Sequence, residues 1–268
     1  MSAAVQSAPT DTGGLPTLEV RGARATITLN RPKVMNRVQP EDIVEMVRLL
    51  REVEANPEIR VLVLAATGRA FSAGAHLGEM AERLAGGAAP EPQLSFDDMT
   101  NTLEKLRVPT ICRLQAGVYG GSTDLALTCD FRIGVEGMRM FMPAGRLGVH
   151  YYEGGLRRYV SRLGLNAAKR LFLTAEELNA EELLRIGYLT QLVPPEKLDE
   201  AVDALADRIC DMAPLAIQGM KRALNEIANG ALDLVALQER IAACKASEDL
   251  KEGVASFKEK RKPVFKGR

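Results

Sequence analysis

The stretch QAGVYGGSTDLALTCD, residues 115–130, places two adjacent glycines directly before a short segment of helical length. Glycines leave backbone N–H groups accessible and allow a ligand to approach the main chain closely. The first N–H groups of a helix lack internal partners, and the helix dipole favours negative charge beside them. Ser122 or Thr123 is expected to cap the helix. The stretch therefore predicts a site for an anion or a polarised oxygen at Gly120 and Gly121.

A second stretch of small residues, GRAFSAGAHLGEM at 68–80, follows the apolar run IRVLVLAAT at 59–67, which predicts a buried strand. Donors from two separate turns can converge on one oxygen and form an oxyanion hole. Either stretch alone is more often an ordinary tight turn. Neither contains a phosphate-binding GxxxxGKS/T motif or a GxGxxG motif. The two stretches together therefore predict oxyanion chemistry.

Strands and helices alternate on both sides of these stretches. Alternating apolar and polar residues around Gly22 predict two paired strands within residues 17–32. Residues 39–56 predict a helix whose first turn contains Pro40 and Glu41. Its predicted apolar face consists of Ile43, Val44, Val47 and Leu50. Further helices are predicted at 96–107 and 122–129, and further strands at 108–115, 130–135 and 139–143. This alternation predicts an α/β fold.

The sequence changes character after about Gly154, where successive amphipathic segments predict helices with few strand signals between them. We therefore predict a disordered tail over residues 1–16, an α/β core with the ligand site over 17–195, and a helical region over 196–268. A segment rich in Ala, Gly and Pro at 82–95 predicts a mobile surface loop.

Composition argues against several classes of function. The 268 residues include 35 basic and 35 acidic side chains, so no overall charge attracts nucleic acid or an anionic membrane. No apolar run approaches the roughly 20 residues that span a bilayer, and the N-terminus lacks the features of a secretory signal. Four widely separated cysteines suit a reducing cytoplasm, and two histidines, His76 and His150, are too few for a histidine-rich metal cluster. We predict a cytoplasmic protein without a metal, membrane or nucleic-acid partner.

Five segments occur together in a recognisable order and spacing from about Leu18 to the end of the chain. They are ITLNRPKVMN (27–36), AFSAGAHLGEM (70–80), AGVYGGSTDLALTCDFRI (116–133), FMPAGRLGV (141–149) and FKEKRKPVFKGR (257–268). As a set they resemble the crotonase superfamily, the enoyl-CoA hydratase/isomerase family. The resemblance implies a crotonase-like spiral of repeated strand-strand-helix units with a helical C-terminal region that drives trimerisation. It also implies an acyl-CoA thioester substrate, a homotrimer or dimer of trimers, and no separate cofactor, because coenzyme A is part of the substrate.

The resemblance also assigns roles to individual residues. The backbone N–H groups of Ala75 and Gly121 would hold the thioester oxygen and stabilise an enolate. The implied positions for binding coenzyme A or substrate are Lys33, Val34, Met35, Ala73, Gly74, His76, Tyr152, Phe257 and Lys260. The last two match positions that often act from a neighbouring subunit. For His76, an exposed loop histidine is the simpler interpretation.

Two positions depart from the hydratase pattern, in which two glutamates transfer protons. Asp124 occupies the first, where the helix dipole stabilises its anion, and is predicted to be a general acid or base. The alternative is that Asp124 merely caps the helix. Ala144 occupies the second and cannot transfer a proton. Plain hydration would then need one group both to activate water and to protonate the neighbouring carbon.

The stretch HYYEGG, residues 150–155, offers replacements for the missing acid. Glu153, Tyr152 or His150 could transfer the second proton, and Glu153 is the preferred candidate. Alternatively, the aromatic residues cover the acyl pocket while Glu153 caps the following helix. The bulk of Tyr151 and Tyr152 predicts a reshaped acyl pocket instead of a straight-chain channel.

Three functions follow from these observations. The first is an enzyme of the enoyl-CoA hydratase/isomerase type that works through a thioester enolate. The second is an acyl-CoA decarboxylase, which reaches the enolate without a strong base, or a hydrolase in which Glu153 activates water. The third is a non-catalytic relative that binds coenzyme A or RNA, suggested by Ala144 and by the basic cluster at 258–268.

Overall fold

The computed structural model describes residues 13–75 and 94–268. Its strands are β1 (Thr17–Arg21), β2 (Arg24–Leu29), β3 (Val61–Ala66), β4 (Thr110–Leu114), β5 (Val118–Tyr119), β6 (Phe131–Val135), β7 (Arg139–Phe141), β8 (Glu177–Asn179) and β9 (Gln191–Val193). Six of them form the main sheet in the order β1-β2-β3-β4-β6-β9. Its first pair is antiparallel and its other pairs are parallel. The remaining three form a smaller sheet in the order β5-β7-β8.

Ten α-helices lie in the described ranges. They are α1 (Pro40–Ala55), α2 (Phe96–Glu104), α3 (Ser122–Thr128), α4 (Glu153–Leu163), α5 (Leu165–Thr174), α6 (Ala180–Arg185), α7 (Leu198–Cys210), α8 (Pro214–Ala228), α9 (Leu234–Ala246) and α10 (Glu248–Glu259). Short 3-10 turns cover Pro32–Val34, Ala144–Leu147 and Pro195–Lys197. None of the described helices is long and apolar enough to span a membrane.

The core forms where the sequence pattern predicts it. Strand β3 is buried along its whole length, as expected for a central parallel strand covered on both faces. Helix α1 begins at Pro40, and the carboxylate of Asp42 accepts a hydrogen bond from the N–H of Gln39 at 2.9 Å. The helix buries Ile43 and Val47, but Val44 is 46% exposed. The prediction for Val44 is wrong because its neighbour Ile43 faces the core, and successive helical residues are rotated by about 100°.

Two short strands lie in the region whose sequence predicts helices. Strand β8 pairs with β7, and β9 extends the main sheet beside β6. Each has three residues, which is too short to display an alternating pattern. Of the predicted tail, residues 1–12 lie outside the described ranges, and Gly14 donates a hydrogen bond to the carbonyl of Asn30 at 2.9 Å. Most of the predicted loop at 82–95 also lies outside them, since the description resumes at residue 94.

Candidate active site

The two glycine-containing stretches meet backbone to backbone. Gly74 has a φ of +89°, and a Cβ added there would lie 2.7 Å from the carbonyl oxygen of Tyr119 and 2.8 Å from the nitrogen of Gly121. Gly120 is also left-handed, with a φ of +56°. Glycine adopts this conformation without strain and leaves room for the opposing chain. The two turns can therefore pack closely, because the glycines at the contact have no side chain to obstruct it.

Hydrogen bonds of buried serines fix the relative position of these stretches. The Ser72 hydroxyl donates to the carbonyl of Asn36 at 2.6 Å and also bonds the Ser122 hydroxyl. The N–H of Tyr119 donates to the carbonyl of Ser72 at 3.0 Å, and the N–H of Ala73 donates to the carbonyl of Met35 at 2.8 Å. Both serines therefore act as structural links between turns.

The N–H groups of Ala75 and Gly121 lie close together at this contact. A Cβ built on Gly121 would be 3.6 Å from the nitrogen of Ala75. Among the described residues, no hydrogen-bond acceptor pairs with either N–H. Gly121 itself is the N-cap of α3, and the predicted capping by Ser122 or Thr123 is wrong. The Thr123 hydroxyl instead donates to the carbonyl of Gly120 at 2.7 Å.

Asp124 lies in the first turn of α3 and is fully buried. One carboxylate oxygen accepts a hydrogen bond from Arg158 Nε at 3.0 Å. The other accepts from Arg158 Nη2 at 2.7 Å and from the Tyr152 hydroxyl at 2.6 Å. Asp124 is therefore not a helix cap, because its side chain bonds Arg158 of α4 and Tyr152 just before that helix.

Arg158 was not identified from the sequence, although its side chain is wholly buried beside Asp124. It donates further hydrogen bonds to the side chains of Thr100 at 2.8 Å, Asn101 at 2.9 Å and Glu104 at 3.3 Å. The bidentate pairing with Asp124 matches the planar guanidinium to the carboxylate. Nothing in a helical sequence distinguishes this arginine from a solvent-facing one, so only the tertiary packing reveals it.

Tyr152 is the residue of HYYEGG that reaches Asp124. Its ring stacks on that of Tyr151, with the centroids 4.4 Å apart. Burial raises the pKa of the Tyr152 phenol well above its ordinary value, and the Asp124 carboxylate raises it further. The phenol therefore stays protonated and donates to Asp124. A Cβ on Gly155 would lie 2.3 Å from the Tyr151 ring, so this glycine makes room for the stacked pair.

The other two candidates in this stretch point elsewhere. The Glu153 side chain is 91% exposed and lies 3.9 Å from Arg157. His150 is exposed, and its Nδ1 lies 2.8 Å from the carbonyl of Tyr151. Glu153 is the first residue of α4, and the assignment of proton transfer to it stays a prediction. It is not the cap either, because Tyr152 occupies that position. Ala144 is buried in its 3-10 turn.

The predicted coenzyme A positions fall into two groups. Lys33, Val34 and Met35 form a turn that contacts Ala73 through its backbone, next to the two amides. Phe257 and Lys260 lie at the end of α10, where Phe257 is 85% exposed and borders a cleft of about 530 Å³. Their roles remain predictions, and His76 lies outside the described residues. Within 13–75 and 94–268, no group of three or more His, Cys, Asp or Glu side chains could hold a metal ion.

The mixed sheet and its flanking helices make the chain an α/β protein. Two of its turns meet near the Ala75 and Gly121 amides, which form the candidate oxyanion site. The fold matches that of an enoyl-CoA hydratase subunit I from Geobacillus kaustophilus with a TM-score of 0.83 at 30% identity. The match covers 96% of this chain and 100% of that one. The fold is therefore crotonase-like, as the sequence segments predicted.

The sequence comparisons agree with the fold. The model of the family described as Enoyl-CoA hydratase/isomerase matches residues 19–268. The Short-chain-enoyl-CoA hydratase of Clostridium acetobutylicum is 32% identical, with coverage of 91% of this chain and 95% of the relative. The Crotonyl-CoA hydratase of Syntrophomonas wolfei is also 32% identical, with 92% and 96% covered. The chain belongs to the enoyl-CoA hydratase/isomerase family, the crotonase superfamily, and is an enzyme of that type.

Proposed function

We propose that this enzyme processes acyl-CoA thioesters through an enolate whose oxygen binds the N–H groups of Ala75 and Gly121. The observation that supports the proposal is the contact at Gly74, which brings Ala75 near Gly121, and neither N–H has an acceptor among the described residues. Each donor of an oxyanion hole typically lowers the reaction barrier by about 3 kcal/mol. Coenzyme A enters as part of the substrate, so the reaction needs no separate cofactor.

Hydration of an enoyl thioester is the reaction we favour, since the relatives at 32% identity are named as hydratases. Water adds to the β carbon, and the electrons of the double bond move onto the thioester oxygen as an enolate. Decarboxylation of a malonyl-type thioester is the second candidate. Ala144 favours it, because loss of carbon dioxide yields the same enolate without a second proton-transfer group.

The test is turnover across enoyl-, hydroxyacyl- and malonyl-CoA thioesters, together with exchange of the α proton of a saturated acyl-CoA in deuterated water. Exchange reports enolate formation whatever the overall reaction is. We expect exchange and hydration of at least one enoyl thioester. Carbon dioxide release from the malonyl substrate alone would instead select decarboxylation. If coenzyme A binds but no thioester reacts or exchanges, the catalytic proposal is wrong and a binding function replaces it.

We further propose that the chain assembles as a trimer or a pair of trimers through its C-terminal helices. Helix α8 exposes Met220, Leu224 and Ile227, which recur along one face and are 56%, 66% and 57% exposed. Helix α9 adds Leu234 and Val235, at 65% and 71% exposure. An apolar surface of this kind favours contact with another copy of the chain.

Sedimentation should therefore give a mass near three or six times the 29.1 kDa of the chain. Leu224→Lys should shift the protein toward the monomer, because it places a charge within the apolar face. Leu173→Lys is the matched control, since Leu173 is 78% exposed on α5 and outside this surface. A parent protein that sediments as a monomer would contradict the proposed assembly.

A cytoplasmic location is proposed on chemical grounds. All four cysteines are free thiols, and Cys112 and Cys129 are buried. Free thiols suit a reducing compartment.

A further inference from the structure

We propose that Tyr152 and Asp124 form a single proton relay that replaces the two acids of a hydratase. Tyr152 is the catalytic residue that contacts the substrate or its attacking water, and Asp124 and Arg158 are positioning residues behind it. This inference rests on the proposed function of the Ala75 and Gly121 amides, because the relay serves the enolate that they hold.

The exposure of the three side chains decides which one can meet a substrate. Asp124 and Arg158 have no exposed side-chain surface, whereas Tyr152 is only partly buried. The two oxygens of Asp124 already accept three hydrogen bonds from Arg158 and Tyr152. Of these partners only the Tyr152 hydroxyl can exchange a proton, because an arginine guanidinium stays protonated. A proton path to Asp124 through its present partners therefore runs through Tyr152.

The relay begins close to the candidate oxyanion site. The N–H of Asp124 donates to the carbonyl of Gly121 at 3.0 Å, so the two residues share the first turn of α3. The Phe96 ring contacts both sides, since its Cζ lies 3.3 Å from a Cβ built on Gly121 and its centroid lies 6.3 Å from that of Tyr152. Gly121 and the Tyr152 ring thus both lie beside the Phe96 ring.

The hydrogen bond to Asp124 determines which way Tyr152 transfers a proton. Its own hydrogen is committed to Asp124 at 2.6 Å, and the Tyr151 hydroxyl lies 3.4 Å from the same oxygen. A phenol oxygen has two lone pairs, so one is left to accept a proton from a substrate or a water molecule. Toward a substrate or a water molecule Tyr152 therefore acts first as an acceptor. The phenol remains neutral if it gains one proton while it passes its own to Asp124.

The step balances for hydration. As the water oxygen bonds the β carbon, one water O–H bond breaks and that proton moves to the Tyr152 oxygen. The phenol's original proton moves to Asp124, and the double-bond electrons move to the thioester oxygen. Tyr152 then protonates the α carbon, and Asp124 returns its proton to the phenol. Water is the only reactant added, and both side chains end as they began.

Among the candidates that the sequence offered in HYYEGG, Tyr152 is the one that bonds Asp124, and His150 is exposed. The Asp97 carboxylate, which is 32% exposed, also lies near the relay, 3.8 Å from Arg158. Ala144 has no titratable group, and Glu153 is 91% exposed. Arg158 keeps the carboxylate fixed through two bonds, and Thr100, Asn101 and Glu104 hold the guanidinium in turn. These contacts thus hold the Asp124 carboxylate against the Tyr152 hydroxyl.

The test compares Tyr152→Phe with Tyr151→Phe, which removes the neighbouring hydroxyl from the same stacked pair. Tyr152→Phe should lower kcat for hydration by about 100-fold or more, with KM nearly unchanged, because general acid–base groups contribute at that scale. Tyr151→Phe should lower kcat much less, because the bond to Asp124 comes from Tyr152 and the Tyr151 hydroxyl only lies 3.4 Å from that of Tyr152. Asp124→Asn should lose as much as Tyr152→Phe, and the double variant should be no worse than either, because both act in one relay.

The outcomes separate this inference from the proposed function. If the parent hydrates an enoyl thioester while Tyr152→Phe keeps its kcat, the relay is wrong and the enolate proposal stands. Equal losses in Tyr151→Phe and Tyr152→Phe, or additive losses in the double variant, would also overturn the relay. A parent protein that neither turns over a thioester nor exchanges an α proton would refute the proposed function itself.

Discussion

Gly74→Ala is expected to abolish turnover and to lower the free energy of unfolding by about 3 kcal/mol or more, the combined scale of backbone strain and overpacking. At a φ of +89° any side chain is strained. The new Cβ would also lie 2.7 Å from the Tyr119 carbonyl oxygen and 2.8 Å from the Gly121 nitrogen. These are backbone atoms, which cannot rotate away as a side chain can. The two turns must therefore separate, and the Ala75 and Gly121 amides must separate with them.

Gly137→Ala is the matched control. Gly137 has a φ of +77°, but no atom lies within 4 Å of its added Cβ in the described structure. The Gly137→Ala variant should lose only the free energy of the backbone strain, about 1 kcal/mol, and should keep its turnover. Chemical denaturation and steady-state rates measure both effects. Full activity in Gly74→Ala would show that the amides do not need this contact.

The sequence was informative where local chemistry determines the structure. The apolar run at 59–67 became the buried strand β3, and the pattern around Gly22 became the β1–β2 pair. The small residues around Gly74 predicted a close approach to the main chain. The structure identifies the approaching group as the opposing turn at Gly120 and Gly121. Hydrophobic period and turn chemistry were therefore sufficient for these strands and for the two turns. The crotonase-like spiral was predicted only through the family resemblance, and the short strands β8 and β9 were missed.

The side chain that contacts Asp124 could not be predicted in the same way. Glu153 and Tyr152 are adjacent in the sequence, and both are able to transfer protons. Tyr152 precedes α4 and turns inward to Asp124, whereas Glu153 begins the helix and faces solvent. A shift of one residue at the start of α4 decides which of the two side chains faces Asp124 and which faces solvent. A sequence pattern predicts the ends of helices less well than any other feature.

Arg158 illustrates a different limit. It is 34 positions from Asp124, and the pair depends on how α4 packs against α3. An arginine in an amphipathic helix is usually a solvated residue, and no motif marks the exception. Once paired, however, it has large consequences for stability, because both side chains are wholly buried.

Arg158→Leu is expected to lower the free energy of unfolding by about 3–5 kcal/mol, because it strands a buried carboxylate without its cation. Asp124 would keep only the Tyr152 hydroxyl among its present side-chain partners, and Glu104 would depend on Arg162 and Arg157. Such a loss is a large share of the roughly 5–15 kcal/mol that stabilises a typical domain. Thermal and chemical unfolding measure it. Arg185→Leu is the control, since Arg185 is 68% exposed and its pairing with Glu182 is screened by water.

One further measurement distinguishes an electrostatic cause from a simple packing defect. The double variant Arg158→Leu with Asp124→Leu should recover much of the lost stability, because it removes the stranded charge together with its partner. A cavity or a steric fault would persist in the double variant. If the deficit behaves in that way, Arg158 contributes through its shape, and the buried ion pair is not what fixes Asp124 beneath Tyr152.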